Sequence, residues 1–228
     1  MPKRNFRRSS TLAKRVKVLE QKQKADDNNT EFKVVYYNVD SNMDNSWGSN
    51  SNMAPNTTHG TDAEGDVNLT GNSRVGDQIN LRHWTLEGVV QLPVTSDGVI
   101  SNPNSSIPCR IILADNLTDN TALTAADVLK KTSSDLNTCI SPYRNSAASG
   151  KKYRILMDKK IFLDSDKSVH HFKFKMKLPK SGRVLHYDDA SVAPSDFNIT
   201  LLHFANVSTL SSNKPKFTYF IKARYTDA

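Results

Sequence analysis

The chain has 228 residues, with 31 Lys and Arg, 23 Asp and Glu and a formal net charge of +8. Its two cysteines, Cys109 and Cys139, are too few for a disulfide framework and read as ordinary thiols, and no apolar run approaches the roughly 18 residues that span a bilayer. The length suits a tail plus one domain of ordinary size, large enough to bury a core without staples.

The charge is segregated. Nine of the 31 basic residues and one of the 23 acidic residues stand in the first 24 positions, MPKRNFRRSSTLAKRVKVLEQKQK, which leaves 22 of each sign for the rest. Pro2–Arg8 has no apolar pattern and is expected to be disordered. From there Ser9 or Ser10 can cap a helix, and Leu12, Val16 and Leu19 recur at helical spacing. This predicts a short basic helix over Thr11–Lys24, stopped by Asp26, Asp27, Asn28 and Asn29. Its apolar stripe is narrow and lacks Trp, which argues against a membrane surface. Lys/Arg clusters also serve as import signals. No RNP motif, zinc-finger spacing or helix-turn-helix pattern indicates base reading. The expected partner is therefore nucleic-acid phosphate, bound through counterion release by Lys3, Arg4, Arg7, Arg8, Lys14, Arg15, Lys17, Lys22 and Lys24. The N-terminus has no apolar signal-peptide core, so secretion is not expected. The Asn-x-Ser/Thr triplets at Asn56, Asn116, Asn198 and Asn206 then read as chance. The expected domains are a basic arm over 1–30 and a body over 31–228.

The body reads as strands. Glu31–Asn38 is rich in β-branched and aromatic residues. Val39–Arg74 is a long polar stretch, expected to be a mobile surface loop. Asp77–Leu92 alternates in two phases, Ile79 and Leu81 in one, Trp84, Leu86, Val90 and Leu92 in the other; the switch at Arg82-His83 predicts a bulge or a bend. Cys109–Ala114 is a continuous apolar run, as in a buried strand. Thr121–Lys130 is the one helix predicted in the body, and Tyr153–Leu163 the next strand. His171–Leu178 alternates cleanly, with Phe172, Phe174, Met176 and Leu178 facing in and Lys173, Lys175 and Lys177 facing out. Arg183–Tyr187, Asn198–Asn206 and Phe217–Tyr225 complete eight strands. With no βαβ rhythm, the pattern predicts an all-β antiparallel sandwich or barrel, and eight strands in two facing sheets is the jelly-roll count; an immunoglobulin-like sandwich stays open on pattern alone.

No catalytic constellation is visible, so the chain is not expected to be an enzyme. A cupin-type metal site needs a His-x-His pair. Among His59, His83, His170, His171, His186 and His203 none exists, and the adjacent His170 and His171 face opposite sides of a strand. Asp164/Asp166 and Asp188/Asp189 fall in predicted turns, where Asp bonds the local backbone. No nucleophile elbow, Gly-rich phosphate loop or two-Cys metal pair is present.

In order after the basic arm come RVGDQINLRHWTLEGVV, CRIILADNLTDNTALTAADVLKKT, YRILMDKKIFL, MKLPKSGRVLHYDD and the terminal IKARYTDA. In this order and spacing they resemble the coat protein of satellite tobacco necrosis virus and the similar capsid proteins of small circular single-stranded DNA viruses. The Val39–Arg74 stretch is longer than its counterpart in the satellite virus. The resemblance implies a single jelly roll that self-assembles into a T=1 icosahedral shell. The arm would lie inside on a single-stranded DNA or RNA genome, with no membrane or small-molecule partner, and the protein would be found in virions assembled in the host cell, with the nucleus as one expected place of assembly. It implies eight strands, lettered B to I, starting near Phe32, Asp77, Cys109, Tyr153, His170, Arg183, Asn198 and Phe217. No cofactor is implied beyond a structural calcium between subunits, held by backbone carbonyls of the Val75–Gln78 segment and by Asp227. Two other classes stay open: a cellular nucleic-acid-binding β-sandwich with a basic tail, and a cupin-like enzyme.

Overall fold

The computed structural model describes residues 16–18, 32–59, 73–93, 106–118, 121–133, 136–144, 152–188, 191–207 and 214–228. The chain divides into two units, Met1–Phe32 and Lys33–Ala228. In the first, Val16, Lys17 and Val18 are helical and exposed; the rest of the predicted Thr11–Lys24 helix lies outside the described residues.

The second unit is all-β. Its strands are β1 (Lys33–Asn42), β2 (Gly48–Asn50), β3 (Thr58–His59), β4 (Ser73–Arg74), β5 (Gln78–Gln91), β6 (Ile107–Asn116), β7 (Tyr153–Leu163), β8 (Val169–Lys175), β9 (Arg183–His186), β10 (Ile199–Ala205) and β11 (Lys216–Asp227). One sheet runs β1-β11-β5-β8 and the other β2-β10-β6-β7, while β3 and β4 form a small parallel pair apart. The sandwich strands pair antiparallel in a nested way: first with last (β1–β11), β2 with β10, β5 with β8, and β6 with β7. That is a long hairpin wrapped around a barrel axis, the jelly-roll connectivity.

The lettering implied by the resemblance needs correction. The second sandwich strand is β2, inside the stretch read as a loop, and the strands read as second to fifth each move one place on. The strand at Arg183 is supernumerary. It pairs with the first residues of β5 (Gln78–Leu81), and β8 pairs with the last (Thr85–Gln91). β2 carries only Gly-Ser-Asn, so it has no apolar period to read. It is held from outside its own sequence: Trp47 packs on Phe204 at 5.3 Å. Gly48 lies against the His203 ring, where a Cβ would come within 2.2 Å. Met43 and Met53, on either side, are fully buried. Of the expected Val39–Arg74 loop, residues 60–72 lie outside the described residues.

The two-phase reading of β5 holds. Ile79, Leu81, Trp84, Leu86, Val90 and Leu92 are all buried. Opposite Arg224 and Tyr225 the register jumps from His83 to Leu81, so Arg82 is the extra residue of a bulge. In β8 Phe172 is buried, while Phe174, Met176 and Leu178 pack half-buried on the core. The interior is filled from both sheets by residues such as Trp84, Phe217, Tyr219, Ile111, Leu113 and Leu201.

The two sheets differ on their outer faces. All ten residues of β6 are buried, because a second cluster covers its back: Ile112, Ala114 and Leu202 pack against Leu123, Val128, Leu129 and Tyr153. This cover comes from the β6–β7 connection. Its predicted Thr121–Lys130 helix shrinks to Ala125–Val128, because the flanks are used otherwise. Leu123 N–H donates to Thr200 Oγ1, and Leu129 turns extended to bridge Tyr143. A second short helix, Leu136–Ile140, was not legible. Among the described residues, the outer face of β1-β11-β5-β8 has no such cover.

Candidate nucleic-acid interface

Of the arm residues expected to bind phosphate, only Lys17 is described, and it is exposed on a helical turn. Lys3, Arg4, Arg7, Arg8, Lys14, Arg15, Lys22 and Lys24 lie outside the described residues.

The structure does bring Val75 and Asp227 together. The Asp227 carboxylate receives the Lys33 ammonium at 2.5 Å and the Val75 N–H at 3.4 Å. Gln78 begins β5, exposed, opposite His186. Calcium needs six to eight oxygen ligands. Within one subunit Asp227 faces two hydrogen-bond donors, one of them the competing Lys33 cation, so this donor set does not fit the ion. Among the described residues no group of three His, Cys, Asp or Glu is placed to hold a metal. Lys33 and Asp227 instead tie the ends of neighbouring strands β1 and β11.

Cys109 and Cys139 are free and buried, and burial pushes both thiols up, Cys139 to about 11, so they stay protonated and unreactive. Asp164 accepts the N–H groups of Asp166 and Lys167, the turn role expected of it. Asp189 lies outside the described residues. Among them, no helix is long and apolar enough to cross a membrane.

The feature that sequence reading missed is the open face of the first sheet. Strand alternation and register lay out rows across four strands. Tyr36, Lys222, Thr85 and Lys175 stand directly opposite one another; the next row is Asn38, Phe220, Glu87 and Lys173. On the other side Arg224 faces His83. All of these but Asn38 and Arg224 line a groove of about 720 Å³. Glu87 is the acid in it, and it is engaged by Lys173 at 2.9 Å and His171 at 3.1 Å. Among the described residues no carboxylate pairs with Lys175 or Lys222, and the Lys222 ammonium sits 5.4 Å from the centre of the Tyr36 ring. Tyr36, on the edge strand β1, is 58% exposed, and Phe220, on the inner strand β11, 49%. Burial and the charges of Lys175, Lys222, Arg224 and Lys173 hold His83 below the usual histidine range, which keeps it neutral. The two β8 lysines, Lys173 and Lys175, were legible by alternation. Gathering them with Lys222, Tyr36 and Phe220 needed the register. The one available signal was the alternation of β11, which puts Thr218, Phe220, Lys222 and Arg224 on one side.

No family model and no curated protein matches the chain. Solved structures with a similar chain trace include Desmodium yellow mottle tymovirus, at 10% identity over 86% of this chain and 89% of that one, with a TM-score of 0.37. Mud crab tombus-like virus shares 8% identity over 87% and 82% of the two chains, with a TM-score of 0.37. The chain matches 54% of the Macrobrachium rosenbergii nodavirus chain, at 8% identity over 86% of its own length and a TM-score of 0.32.

Proposed function

We propose that this chain is a viral coat protein whose jelly roll self-assembles into a small icosahedral shell of T=1 geometry. Its basic arm then packages a single-stranded nucleic-acid genome in the virion. The observation that carries the reading is the division of labour in charge. The whole excess of +8 falls in the first 24 residues, and residues 25–228 have equal numbers of each sign. A nearly neutral body packs against copies of itself with little net repulsion. A strongly cationic arm supplies the phosphate contacts, which are sequence-independent.

Electron microscopy of the purified full-length protein, with ultraviolet absorbance of the same particles, tests the reading. Uniform closed particles containing nucleic acid are expected. A strict monomer at every salt concentration would overturn it.

A further inference from the structure

We propose that the open face of the β1-β11-β5-β8 sheet is a second nucleic-acid site, which takes a single strand with phosphates on Lys175 and Lys222 and bases on Tyr36 and Phe220. The inference rests on the packaging role proposed above and assigns part of it to the folded body.

Three observations converge. The first is charge. The row Tyr36–Lys222–Thr85–Lys175 contains two ammonium groups and no acid, and the neighbouring row's one acid is already paired. The occupant is therefore a polyanion, and the chain's own basic arm is a poor one. The second is the pair of exposed rings beside the lysines. An acidic peptide needs only the cations. A nucleic acid has phosphates and π-faces on one strand, and single-strand sites combine a basic groove with aromatic platforms. The strand must be single, because bases stacked in a duplex expose no face to Tyr36 or Phe220. The third is the shape of the sandwich. The opposite sheet's outer face is covered by its own connection, and among the described residues this one is left as a groove. Four adjacent strands about 4.8 Å apart carry the row across roughly 14 Å of rigid sheet. Sheet geometry holds the groups in place before binding.

The test uses the full chain with labelled oligothymidylate and oligouridylate, titrated with salt. Lys175→Gln/Lys222→Gln should lower the slope of log affinity against log salt by about 1.4, since each single-strand phosphate contact contributes about 0.7. Tyr36→Ala/Phe220→Ala should weaken binding at least about fivefold with the slope unchanged. A preference for one oligonucleotide distinguishes DNA from RNA as the natural strand. A separate variant, Lys14→Gln/Arg15→Gln/Lys17→Gln/Lys22→Gln, reads the arm. If it lowers the slope and the sheet variants do not, the sheet site is refuted and the arm's role stands. If it too has no effect, the packaging role falls with it. If the lysine variant loses polyglutamate as well as oligonucleotide, and the aromatic variant loses neither, the face binds acidic protein and the proposal is overturned. Should a variant fail to fold, ultraviolet cross-linking of wild type to 4-thiouridine oligonucleotides decides. Adducts on Tyr36 or Phe220 support the site, and adducts confined to residues 1–24 refute it.

Discussion

His203 couples the sandwich to pH. Its ring lies 5.3 Å from Phe217 and against Gly48, and burial lowers its pKa to about 4. The ordinary value is about 6.5, so between pH 6.5 and 4 the unfolded chain takes up a proton that the folded one refuses. The stability it contributes is complete above pH 6.5 and is lost as pH falls towards 4, by about 3 kcal/mol. The thermal midpoint of wild type should therefore fall relative to His203→Gln across that window; parallel curves would acquit the ring. Phe172 and Phe174 separate at the same scale. Only Phe172 is fully buried, 6.1 Å from Phe217, and its ring is so close that a Cβ on Gly88 would come within 2.6 Å of it. Phe172→Ala should cost about 3–5 kcal/mol. Phe174→Ala should cost less, and Lys175→Ala should stay within about 0.5 kcal/mol. Gly88→Ala should cost about 1–3 kcal/mol through overpacking. Chemical denaturation of the four variants gives the ranking, and equal costs for Phe172 and Lys175 would refute the assigned faces of β8.

At the scale of elements, the β6–β7 connection is fastened by one charged clamp. Arg110 is buried at the centre of β6. Its Nε and Nη2 donate to both Asp158 oxygens, at 3.1 and 2.8 Å, and its Nη1 donates to the carbonyls of Thr138 and Ser141. Tyr143 donates to the same carboxylate at 2.5 Å. Burial alone would raise the Asp158 carboxyl; the hydrogen bonds from Arg110 and Tyr143 and the charges of Arg110 and Lys160 hold it below the ordinary value. Asp158→Asn would leave a guanidinium buried without its counter-charge, at a cost of about 3–5 kcal/mol. Hydrogen exchange should quicken first over residues 136–144, which the clamp pins to the sheet. Protection unchanged there would show that the apolar cluster under Leu123 and Val128 suffices. The run Cys109–Ala114, apolar apart from Arg110, announced a buried strand. Which segment buries its back was not legible, since the segment is mostly polar and meets the sheet through a few spaced side chains.

The whole molecule keeps its core and its charge apart. Every residue of the main apolar cluster lies between Val35 and Tyr225, so removal of residues 1–24 should leave the thermal midpoint of the body unchanged. Packaged nucleic acid per particle should fall sharply, because the net positive charge goes with the deleted segment. Undiminished packaging by the truncated protein would shift the phosphate-binding role to the body alone.

The sequence by itself determined the segregated charge, the existence and facing of most strands, and the bulge at Arg82. All of these follow from the identity of residues close together in the chain, and a period of two needs no partner to be visible. Only the tertiary structure decided who pairs with whom. It made Gly48–Asn50 a strand through Trp47, Phe204 and His203, and it appended Arg183–His186 to the edge of β5. It also set Tyr36, Lys222 and Lys175 in one row although they come from strands far apart in sequence. Pairing is fixed by packing between distant segments, and a strand's own alternation is the same whichever neighbour it finds.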